Sequence, residues 1–216
     1  QCQNVNHIYF LSATETDKTL APNSSIIKVG SIEDTDTWNT LVKLNNTDYI
    51  LICTQAREIE LGYMALQRMI DYLETSNAAM AYADRYQIKE GRREAHPVCD
   101  YQMGSVRDDF DFGPLLMFRS TLNSSKESYR NSAVYAIRLE LSRFYTLTHI
   151  REYLYTEKEN DMRLSGQKQF DYVDPRNRQV QIEREVAFIR YLKRIGALLT
   201  PVKSRIDLNE GCFEFE

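Results

Sequence analysis

With 216 residues, 43% of them hydrophobic, the chain can bury a sizeable core as one domain with a small appendage, without metal or disulfide staples. Its 27 lysines and arginines against 31 aspartates and glutamates leave a net charge of -4, which gives no general affinity for phosphate polymers and argues against nucleic acid as a partner. Cys2, Cys53, Cys99 and Cys212 form no close pair of the kind that makes zinc or redox motifs, no apolar run approaches the ~20 residues of a membrane span, and no signal peptide is visible. These features point to a reducing compartment. Starting at Gln1 rather than Met and closing on Glu214-Phe215-Glu216, the chain reads as a piece excised from a longer protein.

Asn6 to Leu11 is rich in aromatic and β-branched residues and predicts the first strand. Ser12 to Ser25 is polar and loop-like, and Ile26 to Val29 predicts a short second strand. Thr35 or Asp36 can cap a helix through Leu44 that buries Trp38, Leu41 and Val42. Tyr49 to Cys53 is a continuous apolar run suited to a strand covered on both faces of a mostly parallel sheet, with Cys53 as a small apolar filler. A helix carrying Leu61, Met64, Ala65, Met69, Ile70 and Leu73 on one stripe follows. Ala78 to Ala83 then delivers Asp84 to a strand end, so Cys53 and Asp84 are expected on one edge of the sheet, where open α/β sheets place their ligands.

Tyr86 to Ala95, broken at Glu90-Gly91, predicts a hairpin that Pro97 ends. Leu115 to Phe118 predicts a buried strand, Ser132 to Phe144 a helix, and Thr146 to Tyr155 one or two short strands. Glu157 to Arg163 has the composition of a solvated face. Asp174-Pro175 suits the start of a helix whose stripe of Ile182, Val186, Ile189, Leu192 and Ile195 stops at Gly196. That stripe packs back on this domain or onto a second one. Gln167 to Arg178, extended, aromatic and basic, reads as a connection between the two parts.

Several motifs stand in a fixed order. Ala-Tyr-Ala-Asp-Arg-Tyr (Ala81 to Tyr86) precedes Gly91-Arg92-Arg93, His96-Pro97 and Asp100-Tyr101-Gln102, and then Gly104 to Gly113 with Arg107-Asp108-Asp109-Phe110-Asp111. Tyr135 to Leu139, His149-Ile150 and Leu154-Tyr155 follow. Over Asn6 to Ser165 this order resembles a family 2 glycosyltransferase domain of the GT-A type, from a bacterial group in which two such domains lie in tandem.

The resemblance implies an α/β, GT-A-like (Rossmann-like) three-layer sandwich with a mixed, mostly parallel sheet, whose first strand falls before Gln1. It divides the chain into a transferase-like domain, 1–165, and an extension, 166–216, leading toward a second glycosyltransferase domain. The implied function is transfer from a nucleotide-sugar donor to a glycan or lipid-linked acceptor in polysaccharide or glycolipid biosynthesis. It would take place in the cytoplasm at the periphery of the inner membrane, with Mn or Mg as the family's usual ion. Departure of a nucleoside diphosphate needs a metal or cations to meet the developing charge, and an inverting enzyme needs a carboxylate base. The family's Asp-x-Asp positions are Thr54, Gln55 and Ala56 here, and its base position falls near Asn131-Ser132, so both acids are replaced. Two functional readings therefore stand: an active transferase, or a catalytically inactive GT-A-like domain that binds glycan or braces an active neighbour.

Arg107, Asp108, Asp109 and Asp111 crowd one loop beside Gly113. They either bind sugar hydroxyls or a metal, or they cap turns and tie the loop to Arg107. Asp84 is the remaining candidate metal and substrate ligand, or a turn cap. Arg57 can meet a diphosphate in place of a metal, or pair with Glu58 in solvent. His149 reads as a donor-side residue or a structural histidine at a strand end. Tyr86 and Tyr101 lie where a sugar could stack.

Overall fold

The computed structural model describes residues 5–14, 22–120, 125, 127–158 and 178–199. In chain order the elements are β1 (Ile8–Ser12), β2 (Ser24–Lys28), α1 (Thr35–Leu44), β3 (Tyr49–Cys53), β4 (Ile59–Leu61) and α2 (Ala65–Thr75), then β5 (Ala78–Lys89), β6 (Arg92–His96), β7 (Leu115–Arg119), α3 (Ala133–Leu141), β8 (Thr146–Lys158) and α4 (Arg178–Ile195). Asp34 caps α1 by accepting from the Asp36 amide at 2.8 Å; Thr35, expected as a cap, is buried and its hydroxyl accepts from the Tyr129 amide instead. No described helix is long and apolar enough to cross a membrane.

Five strands lie in the order β3-β7-β5-β8-β4, and β6 pairs with β5 to make six; β1 and β2 form a separate parallel pair. Only β5 and β8 are parallel neighbours in the large sheet, so the expectation of a mostly parallel sheet is corrected: it is mixed and mostly antiparallel. The reason is local. β7 returns between β3 and β5 and separates two strands that run the same way. Glu90 and Gly91, both with positive φ, then reverse the chain in a tight turn that forces β6 antiparallel to β5.

Alternation along the strands sorts side chains onto two faces. Ala81, Ala83, Leu115 and Met117 meet Ala65, Met69 and Leu73 of α2 on one face. Met80, Tyr82, Leu116 and Phe118 meet Trp38 of α1, with Val134, Ile137 and Leu141 of α3, on the other. The result is α/β with helices on both faces of the sheet. Leu61 and Met64 do not belong to the α2 stripe. Leu61 lies in β4, and Met64, in a left-handed conformation, precedes the helix half exposed.

Among the described residues β3 is an edge strand, which its apolar run did not announce. Only Ile52 is buried, whereas Leu51 and Cys53 are exposed, so Cys53 is not a core filler. Cys53 is level with Leu115, and Ala81 is level with Met117 two residues along β7. That register brings Ala83 level with Leu115, so Cys53 and Asp84 lie at the same level of the sheet, but Asp84 does not end its strand as expected: β5 runs on to Lys89 and buries it.

β8 is one long strand rather than one or two short ones, and its continuation buries Glu157 completely, contrary to the solvated face expected there. α4 packs on α3 through Ala187 and Tyr191, while Ile182 and Val186 of the expected stripe stay about two-fifths exposed, at 42% and 43%. Leu192 and Ile195 of that stripe do pack beside Ala187 and Tyr191 against Tyr129, Tyr135 and Leu139. Asp174-Pro175 and most of Gln167 to Arg178 lie outside the described residues, as do 159–163.

Gly113, with φ +73°, leaves room for no side chain: a Cβ there would stand 2.3 Å from the Tyr155 hydroxyl and 3.2 Å from Arg85 Nη1. Gly113→Ala is expected to lower stability by about 2–4 kcal/mol, combining left-handed strain with overpacking. Urea unfolding checks this; an unchanged midpoint would show that Tyr155 moves aside freely.

Candidate functional site

Two polar clusters occupy the carboxyl edge, one on each face of β5. Asp84 and Arg85 are adjacent, yet the register with β8 shifts on both sides of Asp84, and the two side chains take different partners.

On the α1/α3 face, Asp84 Oδ1 accepts from the Val98 amide at 2.8 Å and faces His149 Nε2 at 2.8 Å. His149 Nδ1 faces Asp100 Oδ1 at 2.7 Å, and Arg151 grips the same carboxylate. The imidazole stacks on Tyr82 with ring centroids 5.2 Å apart, and the Tyr82 hydroxyl donates to the Cys99 carbonyl while accepting from the Tyr101 amide. β5 and β8 thus hold the 98–101 segment through a carboxylate–histidine–carboxylate chain. Hydrogen bonds from Arg151, and then from His149, hold the Asp100 carboxyl at about 2.

On the α2 face, Glu157 Oε1 accepts from Arg85 Nε at 2.8 Å and from Gln87, and Arg57 Nη1 stands 3.2 Å from Oε2. Arg85 Nη2 also donates to Asp111 Oδ2 at 3.0 Å, which His96 Nε2 approaches at 2.9 Å, while Asp111 Oδ1 accepts from the Gly113 amide. Burial works to raise the Asp111 carboxyl, but Arg85 and His96 outweigh it and hold it below the usual range.

The predicted loop cluster is therefore divided. Asp109 is gripped by both forks of exposed Arg107, at 2.9 and 2.8 Å; Asp108 pairs with Arg184 of α4 at 3.0 Å; only Asp111 joins Arg57, through Arg85 and Glu157. Asp84 stands in the other cluster. Arg57 does not pair with Glu58 as the solvent reading expected, because Lys158 takes Glu58. Tyr86 is engaged by the Tyr153 ring and by Arg93, and Tyr101 packs on Phe110 and Phe112.

The described residues do not fit a divalent cation. Asp84 spends an oxygen on Val98 and His149, Thr54, Gln55 and Ala56 bring no carboxylate, and no described group of three His, Cys, Asp or Glu side chains converges on one point. At the start of α3, where the base was sought, two carboxylates arrive from elsewhere. Glu183 accepts from the Arg130 and Asn131 amides, at 3.0 and 2.8 Å, and Glu33 accepts from the Val134 amide at 3.3 Å. Burial pushes the Glu33 carboxyl up, opposed by nearby Arg184.

No family model and no curated protein matches this chain. Any functional account therefore rests on the site itself. The residues that pattern reading missed, Arg85, Asp100, Arg151 and Glu157, are charged groups whose pairing needs strands to be brought together. Glu157 carried one signal: it is two residues beyond Tyr155, in phase with an inward-facing position.

Glu157→Ala is expected to cost about 3–5 kcal/mol, because it strands buried Arg85, while Asp109→Ala should cost less than ~1 kcal/mol at its exposed pair. Chemical unfolding of the two variants checks the contrast. Asp100 has a folded-state value below that of an unfolded carboxylate, so its contribution is present above about pH 4. It is lost as pH falls through about 2. Thermal melts from pH 5 downward should show a steeper loss for the parent than for Asp100→Asn.

Proposed function

We propose that the chain is a glycosyltransferase-like domain that binds a nucleotide-sugar or a glycan at its carboxyl edge and serves an active transferase domain in polysaccharide or glycolipid biosynthesis. In this reading it does not form the glycosidic bond itself, and it works in the cytoplasm beside the inner membrane. One observation carries the choice: Asp84, Asp108, Asp109 and Asp111, the acids a transfer reaction would use, are each held by protein donors. An acid spent on a guanidinium or an amide is a poor base and a poor metal ligand. Arg57, paired through Nη1 with Glu157, keeps 26% of its side chain exposed at the edge, and the rest of its fork matches phosphate or carboxylate oxygens.

The second reading, an active transferase, would need Glu33 or Glu183 at the start of α3 as its base, although both already accept from backbone amides.

Calorimetry of the chain with nucleotide-sugars and with oligosaccharides, with and without manganese, tests the proposal. Binding without manganese and without turnover is expected, and Arg57→Ala should weaken nucleotide-sugar affinity about tenfold, the worth of one charge-assisted hydrogen bond. Manganese-dependent product formation would transfer the conclusion to the second reading. Silence toward every ligand would end both.

A further inference from the structure

α4 is fastened to the body by a short apolar row, in which Phe188, Leu192 and Ile195 are partly buried, and by a ring of charges around it. Among its described residues only Ala187 and Tyr191 are buried. Around them Arg184 pairs with Asp108, Arg190 with Glu127, and Arg194 with Glu127 and Glu140, while Glu183 accepts from the amides before α3. These side chains are all partly open to solvent, so each pair contributes little and is screened by salt.

The seam is also imperfectly satisfied. Arg184 Nε and Tyr191 Oη are buried with no hydrogen-bond partner, as is Arg138 Nε on the facing side of α3, and each such group subtracts from docking. A cleft of about 570 Å³ opens between Ile182, Val186 and Arg190 of α4 and the 128–131 segment. β5 and β8 carry unpartnered buried atoms too, Arg85 Nη1, Tyr155 Oη and Glu157 Oε2, but they bury apolar residues on both faces of the sheet. Local opening follows the regions with fewest buried contacts and most exposed polar links.

The geometry points to α4 as a releasable clasp on the acid-rich loop: it leaves α3 as a unit well before the sheet opens, and its departure frees Asp108. The Arg184–Asp108 pair is the mechanical link. Tyr135 and Arg138 of α3 still hold the Val106 and Arg107 carbonyls, so the loop loosens from Asp108 onward rather than unfolding. Asp108 then loses its ion pair with Arg184 and can accept hydrogen bonds from a ligand. This inference does not depend on which sugar ligand, if any, the carboxyl edge binds.

Hydrogen exchange of the whole chain, followed by mass spectrometry at low and at ~0.5 M salt, tests it. Peptides from α4 and from 108–110 should exchange roughly tenfold faster at high salt, the sum of several screened surface pairs, while β5 and β8 do not change. Arg184→Gln should reproduce the loop's acceleration at low salt, and Asp108→Arg combined with Arg184→Asp should restore the parent rates. Exchange of α4 in step with β5 and β8 at both salt concentrations would overturn the clasp. So would an Arg184→Gln variant whose loop exchanges as the parent's does.

Discussion

A carboxylate with no exposed surface, Glu157, lies at the end of β8 under the segments that carry Arg57 and Asp111, and the arrangement of the carboxyl edge follows from satisfying it. A buried charge persists only when it is paired, so Arg85 and Gln87 turn toward Oε1 from β5, and Arg57 stands 3.2 Å from Oε2, which accepts no hydrogen bond, from beyond β3. Arg85, once committed, has a second fork for Asp111. Through that carboxylate the network reaches His96 on β6 and the Gly113 amide. One desolvated acid thus couples β5, β6, β8 and two loops.

This coupling bears on function by removing candidates. A loop with three aspartates in four positions, 108 to 111, invites a metal or sugar-hydroxyl reading, but its members serve separate structural tasks: one grips the loop's own Arg107, one holds α4, one completes the Glu157 network. Asp84 is withdrawn in the same way, into a chain with His149 and Asp100 that fastens the 98–101 segment to the sheet. Arg57 remains as a cation at the opening, oriented by the buried carboxylate behind it. Binding of an anionic group fits this residue inventory better than acid–base chemistry does.

The seam between α3 and α4 has the opposite character. Around a short apolar row its contacts are charged and partly hydrated, whereas the sheet buries apolar residues on both faces. Because Arg184 reaches from that seam to Asp108, the least secured helix is connected to the loop at the candidate site.

Local pattern was enough to determine the apolar strand Tyr49–Cys53, the hairpin around Glu90-Gly91 and the span of α1, because these depend on side-chain period and turn chemistry within a few residues. The same reasoning placed Gly196 at the end of α4. It could not decide that β7 would enter between β3 and β5, that Cys53 would lie on an open edge, or that Glu157 would be buried. Strand neighbours and ion-pair partners are set by contacts between segments tens of residues apart, to which a one-dimensional period is blind. Arg85 meets Glu157 across 72 residues, and only the assembled sheet settles whether such charges face water or each other.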